Sequence, residues 1–268
     1  MQADADPGTI LREGDPRRKA AEARRFRQGV LCGANVHCSA PPDRPARPAK
    51  PDLVPARQLK RRRLGTPEGR AALLHAIAHI ELNAIDLAAD MIARFADAPE
   101  FRSVRDEFLR DWSSVCDDEA RHFVMVADRL DELGHPYGDF PAHGGLWDAA
   151  LRTREDVAAR LAVAPLVLEA RGLDVTPGMI AKLDQAGDMQ SAAILRIIYE
   201  EEIGHVAIGM KWLRHVSGIR NQDPAKLFRG MILEYYDGVI PPPLNHDART
   251  KAGFERGFYD DLVSQHGI

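Results

Sequence analysis

Cysteine is scarce in this 268-residue chain: Cys32, Cys38 and Cys116, three in all, an odd number without a metal-type spacing. That count excludes a disulfide-stapled scaffold and a four-cysteine metal module, and it is what reduced thiols in a cytoplasmic protein predict. Long hydrophobic runs are also missing. No stretch of about 18 uninterrupted apolar residues exists, so no transmembrane helix and no membrane partner are expected. The opening MQADADPGTILREGD lacks the basic-then-apolar pattern of a signal peptide. There are no solenoid-type repeats. No flavin, nicotinamide or iron–sulfur motif is present, so electrons for any redox chemistry must come from another protein or a small molecule.

What is there is ordinary in bulk, 45% hydrophobic and 28% charged, but uneven in charge. Residues 1–70 carry 16 Lys+Arg against 8 Asp+Glu, a balance of +8, while the net charge of the whole chain is −4. A basic arm on an acidic body serves an anionic partner or lies on the body itself. Four consecutive cations, Lys60 to Arg63, read first as a solvated face, with nucleic-acid contact as the minority reading. Just before them, Pro41, Pro42, Pro45, Pro48, Pro51 and Pro55 exclude a helix or a central strand. The expectation there is an extended strap over the surface.

The rest reads as helix. Residues 8–31 predict one amphipathic helix, with Asp15-Pro16 as a plausible start. Thr66-Pro67-Glu68 predicts the start of a long helix to about Phe95. A second runs from near Pro99-Glu100 to Leu133, closed by Gly134. The stretch from Gly134 to about Arg152 is the longest non-helical connection. Its His143 and Asp148 more often serve loop structure than a site. Thr153 is expected to cap a third helix, kinked at Pro165 and ended by Gly172. Thr176-Pro177 then starts a short helix. Gly187-Asp188 opens a fourth long one to about Ser217, and last helices are expected near Pro224–Tyr236 and Ala248–Ser264. The chain therefore predicts an all-α fold in three parts: an N-terminal helix and strap over 1–65, a four-helix bundle over 66–218, and a C-terminal helical extension over 219–268.

The chemistry lies in a repeated motif. Glu119 and His122 stand i and i+3 on a helix whose apolar residues recur at Val115, Phe123, Val126 and Leu130. A carboxylate and an imidazole aimed into a core are costly unless something compensates them. One Glu-x-x-His is common on helix surfaces, but this one recurs as Glu202 and His205, again on an apolar background. Two further helices each carry a lone glutamate in apolar surroundings, Glu81 and Glu169. The order Glu, Glu-x-x-His, Glu, Glu-x-x-His is the ligand order of a ferritin-like di-metal carboxylate bundle, which also requires a long crossover between helices two and three. Four carboxylates and two imidazoles suit two iron ions, with manganese or a mixed pair as the other choices. His79 and Asp86 share a different face of the Glu81 helix and form a competing ligand pair or a structural one. His75 reads as a buried, hydrogen-bonded histidine.

DEARH at 118–122 closely resembles the D-E-x-R-H motif of bacterial di-iron monooxygenases. By that resemblance Asp118, and in the second copy Glu201, would hydrogen-bond the ligand histidines at Nδ1 and fix their orientation. The second copy departs from the motif, with Glu201 where the pattern has Asp. The stretches LLHAIAHIELNAIDLAAD, DEARHF, YGDFPAHGGLWD, EARGLDVTPGMI and EEIGHVAIG are similar to a ferritin-like family of bacterial proteins catalogued as a domain of unknown function. The resemblance spans most of the chain and implies a fold and a metal site, not a substrate.

The function expected is an O2-activating di-iron oxidoreductase, a monooxygenase or hydroxylase of a small molecule. Glu81, Glu119, Glu169 and Glu202 are its catalytic carboxylates, and those four with His122 and His205 are the metal ligands. Tyr199 and Trp112 are candidates to approach the site. A tRNA-modifying hydroxylase is a sub-reading, motivated by the Lys60–Arg63 run. Iron storage or rubrerythrin-like peroxide handling is the alternative. Long extensions on both sides of the bundle argue against a storage cage, and three cysteines cannot make a rubredoxin module. The third reading is a metal-stabilised helical interaction module.

Overall fold

In this computed structural model, residues 4–59, 64–236 and 239–263 are described, so the Lys60–Arg63 run and the end of the last expected helix lie outside the described residues. The fold is all-α. The one strand pairing among the described residues is a two-residue parallel contact, β1 (Asp4–Ala5) with β2 (Asn35–Val36). The helices are α1 (Gly8–Arg12), α2 (Pro16–Leu31), α3 (Pro67–Phe95), α4 (Arg105–Glu132), α5 (Gly145–Arg152), α6 (Val157–Val163), α7 (Ala170–Gln185), α8 (Met189–Ile219), α9 (Pro224–Tyr235) and α10 (His246–Lys251). The chain divides into two compact units, one of Met1–Trp147 with Gln185–Ile194, the other of Asp148–Asp184 with Leu195–Ile268.

In the first unit α3 and α4 form a helical hairpin, with α2 laid against both. Thr66 caps α3 by accepting from the Gly69 N–H at 3.1 Å, and Pro67 occupies the first turn, where its missing N–H costs nothing. Gly134, at φ +75°, closes the end of α4. From His75 onward α3 is buried on nearly all sides. By length and composition α3 could cross a membrane, which the absence of an uninterrupted apolar run had argued against. However, 78% of its most apolar window is packed inside the protein, as in the central helix of a bundle.

The basic arm folds onto this hairpin. Lys19 of α2 is fully buried and meets the equally buried Asp86 of α3 at 2.5 Å, and Arg47 of the strap pairs with the same carboxylate and with Asn83. Arg17 reaches Asp128 and Asp131 on α4 at 2.7 and 2.8 Å. The strap is pinned by backbone hydrogen bonds, Ala46 N–H to Leu11 C=O and Val54 N–H to Ala142 C=O, both 2.8 Å. Trp147 adds a bond from Nε1 to the Asp43 carbonyl. Two expectations are corrected here. Residues 8–31 form two helices, because Asp15 leaves the helical region to cap α2 at the Arg18 N–H. The connection after Gly134 is helical over α5.

The second unit holds one long irregular helix. α6 runs without a break into a π turn, Ala164–Glu169, and on into α7. Asp156, not Thr153, caps its start, accepting from the Ala158 N–H at 2.7 Å; Thr153 is buried and accepts from Arg160 Nε. Pro165 cannot donate to the Leu161 carbonyl, and the helix widens there instead of kinking apart. Gly209 on α8 makes room for the widened turn: a Cβ there would lie 2.7 Å from Pro165 Cβ. The predicted breaks at Gly172 and Pro177 do not occur. Pro177 leaves the Leu173 carbonyl without its helical donor, and Asn245 Nδ2 supplies one at 3.2 Å. The expected C-terminal helix shortens to α10 and two 3-10 turns, with Gly253 at φ +73° ending α10.

Candidate metal centre

Glu81 lies mid-way along α3, and Glu119 and His122 lie one helical turn apart on α4. All three are buried, at 4%, 0% and 0% exposure. The α3–α4 packing brings ligand-type atoms of the three within 4.8 Å of one another. His122 Nδ1 sits 3.3 Å from Glu81 Oε2 and 3.5 Å from Glu119 Oε2. In the second unit Glu169, at the end of the π turn, meets Glu202 and His205 of α8 within the same limit. His205 Nδ1 is 3.5 Å from Glu202 Oε2, matching the spacing of the first motif. Glu169 is half-buried, whereas its two partners are buried.

Electrostatics mark the first triad as cation-seeking. Burial, then the neighbouring Glu119 carboxylate, hold the Glu81 carboxyl well above its usual range, against the pull of His122. Burial works against charge on His122 as well, but Glu119 and Glu81 together push its imidazole up to about 11. Two clustered carboxyl groups and an imidazole thus favour one positive charge between them, supplied by a proton on Nδ1 or by a metal ion. The donor set of each triad, two carboxylates and one imidazole, fits iron or manganese. Zinc is less suited, since its structural sites favour cysteine and histidine.

The direction of the imidazoles bears on the outer hydrogen bonds expected from Asp118 and Glu201. Nδ1 of His122 faces Glu81 and Glu119, and Nδ1 of His205 faces Glu202, at the ring nitrogen where the resemblance places an outer hydrogen bond. Asp118 Oδ1 accepts from Arg121 Nη2 at 2.9 Å. The competing pair is engaged elsewhere. His79 Nδ1 is 2.8 Å from Tyr137 Oη and Nε2 is 3.2 Å from the His143 carbonyl, while Asp86 belongs to Lys19 and Arg47. Since Nε2 faces a carbonyl it carries the proton, and Nδ1 accepts from the Tyr137 hydroxyl. His75 is buried and accepts from the Gly138 N–H at 2.9 Å, as a structural histidine should. Trp112 is buried two turns before Glu119. Tyr199, one turn before Glu202, places its hydroxyl on Asn245 at 3.0 Å. The π turn, Gly209 and Asn245 were not singled out from sequence. The available signal was Pro165 inside an apolar helical run.

The family model described as "Protein of unknown function (DUF455)" matches residues 12–260. The chain belongs to this family. The matched span takes in α2, both triads and α10, so the DUF455 family model covers the basic arm together with the candidate ligands. A Haemophilus influenzae protein, described as "Uncharacterized protein", is 44% identical over 208 residues, covering 77% of this chain and 72% of that protein. No solved structure matches this DUF455 chain.

Proposed function

We propose that this chain is a ferritin-like, dinuclear metal-carboxylate oxidoreductase, with one ion on Glu81–Glu119–His122 and the other on Glu169–Glu202–His205. The observation that carries the reading is the pair of triads, alike in residue type and in the 3.5 Å contact within each Glu-x-x-His. Buried carboxylates in such number are costly without cations, and two divalent ions offset four of them. An iron pair, or manganese or a mixed pair, would supply the electrons and open coordination positions for reducing O2. The protein's part is to hold each imidazole with Nδ1 turned to the carboxylates, to exclude water from α3 and α4, and to leave Glu169 on the more open side. The reaction class is monooxygenation or hydroxylation of a small organic substrate, with electrons from an external donor.

The test is metal content and optical spectrum of protein from iron-supplemented cells, alongside Glu119→Ala. The expected result is roughly two irons per chain, with a near-ultraviolet band of an oxo-bridged pair that the variant loses. Less than half an equivalent of any transition metal, unchanged by the substitution, rejects the reading in favour of a metal-free helical interaction module.

A further inference from the structure

Asn245 makes three hydrogen bonds to the helices that carry the second triad and caps α10 with a fourth. Its side-chain NH2 donates to the Leu173 carbonyl at 3.2 Å and to the Tyr199 hydroxyl at 3.0 Å. Its backbone N–H donates to Asp174 Oδ1 at 2.9 Å, and its side-chain oxygen caps α10 at the Ala248 N–H. Leu173 is four residues after Glu169 and Tyr199 three before Glu202, so each attachment lies one turn from a ligand and on its face. The carbonyl it engages is the one Pro177 leaves without a donor. Neighbouring contacts hold Asn245 in place. Arg249 pairs with Asp174 in a fully buried bidentate bridge at 2.9 and 2.6 Å, and Arg171 donates to the carbonyls of Pro241, Pro242 and Pro243.

We propose that Asn245 is the positioning residue of the Glu169–Glu202–His205 triad, fixing the spacing of its two helices so that the triad takes up a divalent metal. The inference rests on the metal-centre reading above. Nothing comparable is needed in the first unit, where α3 and α4 are regular and joined by a short connection. In the second unit a π turn and an internal proline loosen the helix on both sides of Glu169. One amide then replaces the lost backbone partner and ties the helix to α8 in the same step.

The test uses the full chain, freed of metal and titrated with Mn(II), with free ion counted by electron paramagnetic resonance and thermal midpoints read on the metal-free protein. Asn245→Ala removes both side-chain ties. Tyr199→Phe removes one hydroxyl and serves where the first variant fails to fold. Asp156→Ala, at the distant cap of α6, controls for general loss of stability. The expected result is two ions on the wild type. Asn245→Ala should weaken one of them about tenfold or more and spare the other, as loss of a partner behind a ligand does. Tyr199→Phe should weaken the same ion by less, and Asp156→Ala should lower the midpoint without changing either affinity. Unchanged affinities in both Asn245→Ala and Tyr199→Phe overturn the inference while leaving the metal reading intact. So does a parallel loss of both ions that tracks the midpoint. A wild type that binds no Mn(II) or iron overturns the metal reading and the inference with it.

Discussion

The Glu81–Glu119–His122 triad stands on two uninterrupted helices, whereas Glu169 of the other triad stands at the end of a π turn inside a helix that also contains Pro177. In the first unit the direction of each candidate ligand follows from helical periodicity and from burial of α3 on nearly every face. In the second it depends on contacts remote in sequence: Gly209 against Pro165, and Asn245 on Leu173, Asp174 and Tyr199. The same set of candidate donors is therefore held by regular secondary structure on one side and by tertiary hydrogen bonds that repair an irregular helix on the other. The irregular side also carries the more open glutamate, and π turns are frequent where a helix serves chemistry.

The first unit should be broken most severely at Lys19. Removing it leaves the buried Asp86 with only the half-buried Arg47, and breaking one partner of a buried pair costs about 3 to 5 kcal/mol. Lys19→Ala should lower stability by about that much in urea unfolding. A loss under about 1 kcal/mol would show that Arg47 alone satisfies the carboxylate.

On the second side the sharpest probe is a methyl group. Gly209→Ala puts a Cβ 2.7 and 2.8 Å from Pro165 Cβ and Cγ, so the π turn must shift. Overpacking of this kind costs about 1 to 3 kcal/mol. Gly204, on the same helix, has nothing within 4 Å of its would-be Cβ. Gly204→Ala should stabilise by about 0.5 to 1 kcal/mol through backbone entropy. Thermal midpoints of the two variants should move in opposite directions; a shared direction would mean that the π turn does not press on α8.

A pH dependence is also expected from the first unit. Burial depresses His75 to about 4, so the folded state resists its protonation while the unfolded chain takes up a proton near 6.5. Its stabilising contribution is complete above that value and is lost as pH falls toward 4, by up to about 1.4 kcal/mol per pH unit. His75→Gln should flatten that part of the stability profile measured on metal-free protein. An identical slope in the variant would assign the decline to other groups.

The all-α fold and the pairing of Glu119 with His122 and of Glu202 with His205 were legible because they are local: an i, i+3 spacing on an apolar helix fixes a shared face whatever surrounds it. Glu81 was legible for a related reason, as one acid in a run that periodicity buries. The continuous helix through Gly172 and Pro177 was not, because breaker residues predict an end unless a distant donor repairs the backbone, and Asn245 lies more than sixty residues away. The arm's charge imbalance was visible. Which carboxylates it would meet was not: Lys19 meets Asp86 across 67 positions. Which ring nitrogen faces the carboxylates was not legible, because a motif specifies only which residues are near each other.

The central claim is that each of the two triads holds a divalent metal ion. The most direct measurement is anomalous scattering from a crystal of the manganese- or iron-loaded chain. The account predicts two metal peaks per chain, one ligated by Glu81, Glu119 and His122 and the other by Glu169, Glu202 and His205. A single peak, or peaks on residues outside the two triads, would contradict it.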